Sequence, residues 1–212
     1  MTGSGPAGLA SAYAAAKNGA KVILAEDKSR FGGSLLTSEV SIGNQTGKEW
    51  AENILAELQE MPNVKVKNRS QVFGYYDHNM MVMSERISDH LSKSNKYMPR
   101  QRLWYIRAKE VVISSGSIER PLVFGNNDTP GVMLSSAAKE YLKVYGVLVG
   151  KKPIVFTNND SGYETAIEFK KNGIDPLVLD TREDLDSEII KEAKNLNIKI
   201  KFSHVVIAAK GY

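Results

Sequence analysis

The amino-acid sequence predicts an α/β protein in which short parallel strands alternate with helices. Three observations support this prediction. A glycine-rich turn at residues 3–8 leads directly into an alanine-rich segment of helical character. Short apolar segments at 21–26 and 64–67 flank an amphipathic one, and the same alternation recurs beyond residue 150. Strand patterns that alternate with helical patterns are typical of parallel sheets covered by helices.

The elements of the first unit follow one another at short intervals. Residues 6–18 are predicted to form a helix and residues 21–26 a short apolar strand. Residues 31–42 lack a clear period and are predicted to be a loop. Residues 47–61 carry apolar side chains at helical spacing, and residues 64–67 form the next short strand.

The pattern changes to strand-like alternation between about residues 70 and 110. Segments at 72–73, 80–83 and 104–107 predict an antiparallel β-meander inserted into the α/β unit. A buried strand is expected directly after the insertion, at 111–113.

The turn at the start of the chain has the spacing of a dinucleotide-binding motif. Gly3 permits a tight bend, Gly5 lets the backbone approach a pyrophosphate, and Gly8 allows the helix to pack closely on the strand. Pro6 and Ala7 open the helix, whose free amides and partial positive charge favour phosphate. These features predict a Rossmann-like FAD/NAD(P)-binding fold.

An acidic residue stands at the position where such folds bind the adenosine ribose. Glu26 ends the second predicted strand, 18 residues after Gly8, and Asp27 follows it. A carboxylate there accepts hydrogen bonds from ribose hydroxyls. Because it would repel a 2′-phosphate, the sequence favours NAD or FAD over NADP.

Further segments are predicted to reach the same cofactor. The Gly-Gly pair after the acidic strand can bring more backbone amides to the pyrophosphate, and a turn of small residues follows the strand expected at 111–113. The additional predicted cofactor contacts are Gly32, Gly33, Ser34, Val72, Ser114, Ser115 and Gly116.

A second α/β unit with a degraded turn is expected beyond residue 150. Its predicted elements are strands at 153–156, 176–180, 198–202 and 205–208 and helices at 161–172 and 185–195. Only Gly162 remains of the three glycines, and Asp160 would place a negative charge beside a phosphate. Asp180 keeps the acidic position. This unit is interpreted as a Rossmann-like scaffold that has lost nucleotide binding.

Two domains are therefore predicted. Residues 1–148 form a dinucleotide-binding domain with a β insertion at about 70–110, and residues 149–212 form a second, incomplete Rossmann-like domain. Only Met1 and Thr2 precede the glycine turn, where a hydrophobic strand is usual. The chain is therefore interpreted as a fragment that lacks its first strand.

Composition narrows the functions open to this chain. The net charge is +4, and Lys and Arg are spread along the chain, so no nucleic-acid partner is expected. The chain has no cysteine, which excludes thiolate metal sites and dithiol redox centres, and its three histidines lack metal-ligand spacing. No apolar stretch has membrane-spanning length, and a cytoplasmic location is expected. No catalytic or metal-binding residue is predicted.

Several longer runs resemble the alpha subunit of heterotetrameric sarcosine oxidase. Besides the glycine turn they are residues 31–36, 73–79, 102–104, 118–124, 126–133 and 155–161. The resemblance therefore extends over nearly the whole chain. The runs Tyr-Tyr-Asp-His-Asn at 75–79 and Phe-Thr-Asn-Asn-Asp-Ser at 156–161 are its most specific parts.

The resemblance implies that NAD occupies the place where related flavoproteins hold the adenylate of FAD. It implies NAD contacts at Gly3, Gly5, Gly8, Glu26, Gly33 and Ser34. It also implies beta, gamma and delta subunits as partners, with sarcosine oxidised at a covalent flavin and a second flavin associated with the beta subunit. This segment alone is therefore expected to be inactive.

Two alternatives stay open at this point. The chain could be part of a FAD-dependent pyridine-nucleotide oxidoreductase, although the broken second turn and the absence of cysteine disfavour it. It could also be the alpha subunit of a related enzyme that oxidises proline or opines, because those relatives share the glycine turn and the acid.

Overall fold

The computed structural model describes residues 1–93 and 96–210. These residues form two compact units, Met1–Ser117 and Ile118–Tyr212. Each unit has its own sheet and its own hydrophobic core.

The first unit begins with the predicted elements α1 (Pro6–Lys17), β1 (Val22–Ala25), α2 (Gly47–Glu60) and β4 (Val64–Lys67), with two short strands between β1 and α2. The segment 31–42, predicted to be a loop, contains a 3-10 turn (Gly33–Leu36) and β2 (Ser41–Ile42), which pairs with β3 (Gln45–Thr46) in a short hairpin. Strands β1 and β4 pair in parallel. Helix α2 starts with a capping box in which Thr46 and Glu49 each accept a hydrogen bond from the other's backbone amide.

Met1 and Thr2 lie between β1 and the segment that carries Val112 and Ser114. The Thr2 amide donates to the Val112 carbonyl at 3.0 Å, and the Ser114 amide donates to the Thr2 carbonyl at 2.9 Å. On the other side, the Ala25 amide donates to the Met1 carbonyl at 3.0 Å. These two residues therefore take a central place in the parallel sheet and fix the position of the glycine turn.

The buried strand expected at 111–113 does not form as a regular strand. The structure has a single parallel bridge between Thr2 and Ile113, and Ile113 is exposed. Among the described residues, the backbone bonds from this segment to the sheet run to Thr2 alone, and one residue of pairing does not make a regular strand. The prediction of a strand here was therefore wrong, although the segment does lie beside the glycine turn.

The predicted β-meander is confirmed. Strands β5 (Ser70–Tyr76), β6 (Met80–Arg86) and β7 (Gln101–Arg107) form an antiparallel sheet. Met83 pairs with Val72 on one side and Trp104 on the other, and its side chain is almost fully buried. The turn between β5 and β6 holds His78 and Asn79 at positive φ, a conformation that is uncommon for residues other than glycine.

The first hydrophobic core lies between α1, α2 and the β1–β4 pair. Its fully buried side chains include Leu9, Ala12, Leu24 and Leu58. The small side chain of Ala12 lets α1 approach the sheet closely. This packing holds the start of α1, and therefore the glycine turn, against the end of β1.

The second unit is a parallel sheet with helices. Its elements are α3 (Ser135–Tyr145), β8 (Ile154–Thr157), α4 (Ser161–Lys171), β9 (Leu177–Asp180), α5 (Glu188–Asn195) and β10 (Lys199–Lys201). The strand order is β10–β9–β8, and all pairs are parallel. The predicted second Rossmann-like unit is thus present.

Helix α3 packs with the second unit. Its Ala138 and Leu142 contact Phe169 of α4. The compact units consequently divide after Ser117, whereas the sequence placed the domain boundary after residue 148.

The strand expected at 205–208 is reduced to one bridge. Ala208 pairs with Gly125 and not with the sheet. The chain leaves the sheet at Ser203, whose φ is +54° and whose amide donates to the Arg182 carbonyl. A regular strand cannot continue through that backbone conformation. Beyond it, the one bridge that residues 205–208 make among the described residues is to Gly125, so this prediction was wrong.

Substitution of Leu9 tests the packing of α1. Leu9→Ala removes a fully buried side chain and is expected to lower the free energy of unfolding by about 2–5 kcal/mol. Leu91→Ala, at an exposed position of the same unit, is the control and should change it by less than about 1 kcal/mol. Urea titration followed by circular dichroism measures both, and equal effects would contradict the proposed core.

Candidate dinucleotide-binding site

The three glycines of the first turn have different physical roles. Gly3 has φ +88°, and a Cβ there would overlap the Ser114 carbonyl oxygen. A Cβ at Gly8 would overlap the Gly3 carbonyl oxygen. A Cβ at Gly5 would meet nothing within 4 Å. The first and third glycines are therefore required by the fold, and the second leaves open space on the side where a ligand can approach.

The start of α1 lies at this turn. Gly5 precedes the helix in an extended conformation, and Pro6 is its first residue. The first intrahelical hydrogen bond runs from the Leu9 amide to the Gly5 carbonyl at 2.9 Å. No side chain caps this helix end. The amides of Ala7 and Gly8 therefore lie at the positive end of the helix, where anions are stabilised.

Glu26 follows β1 and is almost fully buried. Its carboxylate accepts hydrogen bonds from the Ser4 amide at 2.9 Å, the Ser4 hydroxyl at 2.5 Å and the Lys28 amide at 3.0 Å. Burial alone would raise the pKa of Glu26, but the hydrogen bonds from Asp27, Ser4 and Lys28 outweigh burial and lower this pKa. The carboxylate is therefore ionised.

Asp27 is exposed beside Glu26. Its pKa is raised, first because its carboxyl group hydrogen-bonds the Glu26 carboxylate and then because of partial burial. Two carboxyl groups in contact cannot both ionise freely. The pKa of the buried Glu26 is therefore lowered and that of the exposed Asp27 is raised.

Ser4 connects the acid to a second turn, and the sequence analysis did not identify it. Its side chain is fully buried. Besides its two bonds to Glu26, its carbonyl and its hydroxyl both accept from the Gly32 amide, at 3.0 and 3.3 Å. The signal in the sequence was a small polar residue between two motif glycines, with a buried acid at the end of the next strand.

The Gly-Gly pair lies where the sequence predicted it. Gly33 has φ +54°, and a Cβ there would lie 2.8 Å from the Gly5 Cα. Gly32 also has positive φ, +122°. Ser34 follows in the 3-10 turn and is exposed. The structure therefore brings this pair and the open side of the glycine turn together.

The small residues after position 113 support the turn. The Ser114 hydroxyl lies 2.7 Å from the Thr2 carbonyl and 3.1 Å from the Gly3 carbonyl. Ser115 and Gly116 are exposed beyond it. Ser114 therefore braces the protein backbone under the motif.

Val72 lies near the acidic end of β1. It is half-buried in β5, two residues beyond Ser70. The Ser70 amide donates to the Glu26 carbonyl at 2.7 Å. The structure thus brings the start of β5 to the acid, and a cofactor contact at Val72 itself stays a prediction.

The second unit fills the corresponding region with its own side chains. Asp180, at the end of β9, is fully buried and accepts from the Arg182 guanidinium and the Tyr163 hydroxyl, both at 2.8 Å. The Arg182 amide donates to the same carboxylate at 2.9 Å. The guanidinium also donates to Asp160, just before α4, at 2.9 Å. Both oxygens of the acid equivalent to Glu26 are therefore engaged.

Arg182 decides the ionisation of this cluster. Burial alone would raise the pKa of Asp180, but hydrogen bonds from Arg182 and Tyr163 outweigh it and lower that pKa. The hydrogen bond to Asp180 raises the pKa of Arg182 in turn. Burial, followed by the bond to Asp180, raises the pKa of Tyr163. The cluster is a satisfied ionic network inside the second unit.

Within 1–93 and 96–210, no group of three or more His, Cys, Asp or Glu side chains is arranged to hold a metal ion. No helix in these ranges is long and apolar enough to cross a membrane.

This geometry defines a class of protein. A glycine turn at the start of a helix, followed by a buried acid at the end of the next parallel strand, is the arrangement of dinucleotide-binding domains. Comparison with known proteins agrees with this class. The family model described as FAD dependent oxidoreductase matches residues 1–99.

The similarity in sequence is to sarcosine oxidase. The chain is 42% identical over 183 residues to the sarcosine oxidase subunit alpha of Rhizobium meliloti (strain 1021), covering 86% of the chain and 18% of that subunit. It is 37% identical over 209 residues to the subunit alpha of Corynebacterium sp. (strain P-1), covering 98% of the chain and 22% of that subunit. The resemblance to the sarcosine oxidase alpha subunit is confirmed, and the chain spans about a fifth of the length of these relatives.

A solved structure supports the fold. L-proline dehydrogenase from P. horikoshii matches with a TM-score of 0.69 at 24% identity, over 88% of this chain and 36% of that one. At this level of identity the match concerns the fold alone. The predicted Rossmann-like α/β fold is confirmed.

Substitution of Arg182 tests the ionic network. Arg182→Leu leaves the buried Asp180 carboxylate without its cation and is expected to lower the free energy of unfolding at pH 7 by about 3–5 kcal/mol. Arg100→Leu breaks an ion pair with Asp89 in which Arg100 is largely exposed, and should cost less than about 1 kcal/mol. Denaturant titration measures both.

The pH dependence of this difference has a definite sign. Because the folded pKa of Asp180 is lowered, its contribution to stability is present above the unfolded pKa of about 3.9 and is lost as pH falls through the folded pKa. In Arg182→Leu, burial instead raises the pKa of Asp180, so protonation of this carboxylate removes the buried charge and stabilises the variant. The difference in the free energy of unfolding between the wild type and the variant should therefore decrease between pH 7 and pH 4. A constant difference would contradict this account.

Proposed function

We propose that the first unit binds the ADP half of NAD. The observation that carries this proposal is the buried, ionised Glu26 carboxylate, held by Ser4 beside an open glycine turn. A carboxylate in this position accepts hydrogen bonds from the adenosine ribose. The uncapped start of α1 supplies backbone amides for the pyrophosphate.

The residues present suit such a nucleotide. Gly5 leaves open space where a side chain would stand, and Gly33 lies against it. Glu26 and Asp27 favour a ribose with free hydroxyls, because both acids would repel a 2′-phosphate. The proposed nucleotide contacts are Gly3, Gly5, Pro6, Ala7, Gly8, Glu26, Asp27, Gly32, Gly33, Ser34, Val72, Ser115 and Gly116, with Ser114 supporting the turn.

We propose that each chain holds one nucleotide. In the second unit, Asp180 is saturated by Arg182 and Tyr163, and Asp160 lies before α4. A phosphate there would meet a carboxylate, and a ribose would have to displace a guanidinium. The second unit therefore acts as scaffold.

The larger role that we propose is that of the NAD-binding portion of a sarcosine oxidase alpha subunit. The support is the identity of 37–42% to two such subunits over most of this chain. In this proposal the beta, gamma and delta subunits are the partners. Oxidative demethylation of sarcosine takes place elsewhere in the complex, and the residues of this chain bind and orient the nucleotide. A related proline- or opine-oxidising complex is the alternative parent.

FAD is the second candidate cofactor, because it carries the same ADP half. The family model that matches residues 1–99 is described as FAD dependent oxidoreductase. A reductase that binds both FAD and a pyridine nucleotide would need the second unit to bind the pyridine nucleotide. There the Arg182 guanidinium is bound to Asp180, the acid that would receive the ribose. This contact favours NAD over FAD as the cofactor of the first unit.

The identity of the nucleotide can be measured directly. The purified protein, after titration with NAD or FAD, removal of free nucleotide and denaturation, is expected to release NAD at about one per chain. Mass spectrometry identifies and counts the released nucleotide. Preferential retention of FAD would favour the second candidate, two nucleotides per chain would contradict the scaffold role, and retention of neither would contradict the proposal.

Alanine substitutions of glycine separate folding from binding. Gly5→Ala places a methyl group in open space at an allowed φ of −65°, so stability should change by less than about 1 kcal/mol while NAD affinity falls at least about ten-fold. Gly150→Ala, also in open space, is the control and should change neither. Unchanged NAD affinity in Gly5→Ala, measured by calorimetry, would place the pyrophosphate elsewhere.

A further inference from the structure

We infer that Ser4 is a positioning residue, which holds the Glu26 carboxylate in the orientation that receives the 2′-hydroxyl of the adenosine ribose. This inference rests on the proposed nucleotide site and adds a residue to it. Ser4 stands between two motif glycines, and the motif itself leaves this position unspecified. The role follows from its contacts in this chain.

Ser4 contacts Glu26 twice through the same oxygen. Its amide lies 2.9 Å and its hydroxyl 2.5 Å from Oε2. Because the two donors belong to one fully buried residue, they fix both the position and the rotation of the carboxylate. The Lys28 amide bonds the other oxygen at 3.0 Å, so the two bonds from Ser4 hold the first oxygen in place.

The other oxygen of the Glu26 carboxylate, Oε1, has acceptor sites that a ribose hydroxyl can use. Oε1 accepts from the Lys28 amide at 3.0 Å, and an ionised carboxylate has about four acceptor sites. Asp27, the next residue, has an exposed side chain. A ribose hydroxyl can therefore donate to a remaining acceptor site on Oε1, while the bonds from Ser4 to Oε2 stay in place.

The same hydroxyl links the acid to the Gly-Gly turn. The Gly32 amide donates to the Ser4 hydroxyl at 3.3 Å and to the Ser4 carbonyl at 3.0 Å. The next residue, Gly33, lies against Gly5. Ser4 thus holds Glu26 and the Gly-Gly turn in fixed positions relative to each other.

The chain of contacts makes a specific prediction about ligands. If Ser4 acts through Glu26 on the ribose, removal of its hydroxyl weakens the binding only of a nucleotide whose adenosine ribose has the 2′-hydroxyl. If Ser4 only stabilises the fold of the turn, removal of its hydroxyl weakens the binding of every nucleotide equally. A comparison of NAD with its 2′-deoxyadenosine analogue separates the two roles.

The experiment measures the affinities of NAD and of this analogue for the wild type and for Ser4→Ala by calorimetry. Ser4→Ala is expected to weaken NAD binding about ten-fold and analogue binding less than about two-fold. Ser117→Ala, at an exposed serine of the same unit, is the control. Ser4→Cys keeps a side chain of similar size with a weaker donor and is used if Ser4→Ala fails to fold. Ser4→Cys should also weaken NAD binding more than analogue binding, but by a smaller factor than Ser4→Ala.

The outcomes are distinguishable. Equal losses for NAD and the analogue, or no loss for either, in a protein whose wild type binds NAD would overturn the positioning role and leave the proposed function standing. Failure of the wild type to bind NAD would overturn both. A selective loss for NAD supports the inference.

Discussion

The structure of the first unit depends on a buried carboxylate that neutral donors keep ionised. A buried charge is costly unless it is paired or hydrogen-bonded. Glu26 meets this requirement without a cation, through the amides of Ser4 and Lys28 and the hydroxyl of Ser4. The bonds from Ser4 draw the glycine turn to the end of β1, and the Gly32 amide, which donates to Ser4, brings the Gly-Gly turn with it. The same bonds leave the open side of Gly5 free.

In the second unit a cation, and not neutral donors alone, stabilises the buried acid. Asp180 occupies the equivalent strand end, but its charge is balanced by Arg182. A neutral set of donors keeps a carboxylate available to an exchangeable ligand, whereas a guanidinium that also reaches Asp160 closes the site. We propose that the two Rossmann-like units of this chain differ in nucleotide binding because their acids have different partners. In this proposal, loss of the Arg182–Asp180 ion pair lowers the stability of the second unit, and loss of the Ser4–Glu26 bonds lowers the affinity of the first unit for the nucleotide.

The sequence predicted much of this because its signals are local. The spacing of Gly3, Gly5 and Gly8 specifies a turn whose steric demands are met within a few residues. The alternation of 70–110 likewise specified a meander, since strand pairing there is between neighbours in the chain. The errors fell at 111–113 and 205–208, where apolar composition suggested strands. Whether such a segment becomes a strand depends on a partner at long range, which composition does not reveal.

The sequence by itself determined the α/β class, the glycine turn, the acid at the end of the second strand and the degraded second turn. Tertiary structure alone decided that Ser4 reaches Glu26 and that Tyr163 reaches Asp180. Ser4 and Glu26 are 22 residues apart, and their contact exists because α1 packs on the sheet through Leu9 and Ala12. Arg182 is a local partner, two residues from Asp180, and packing decided only that Asp180 is buried, where an unpaired charge is costly. Hydrogen-bond partners at this range follow from packing, which no single motif encodes.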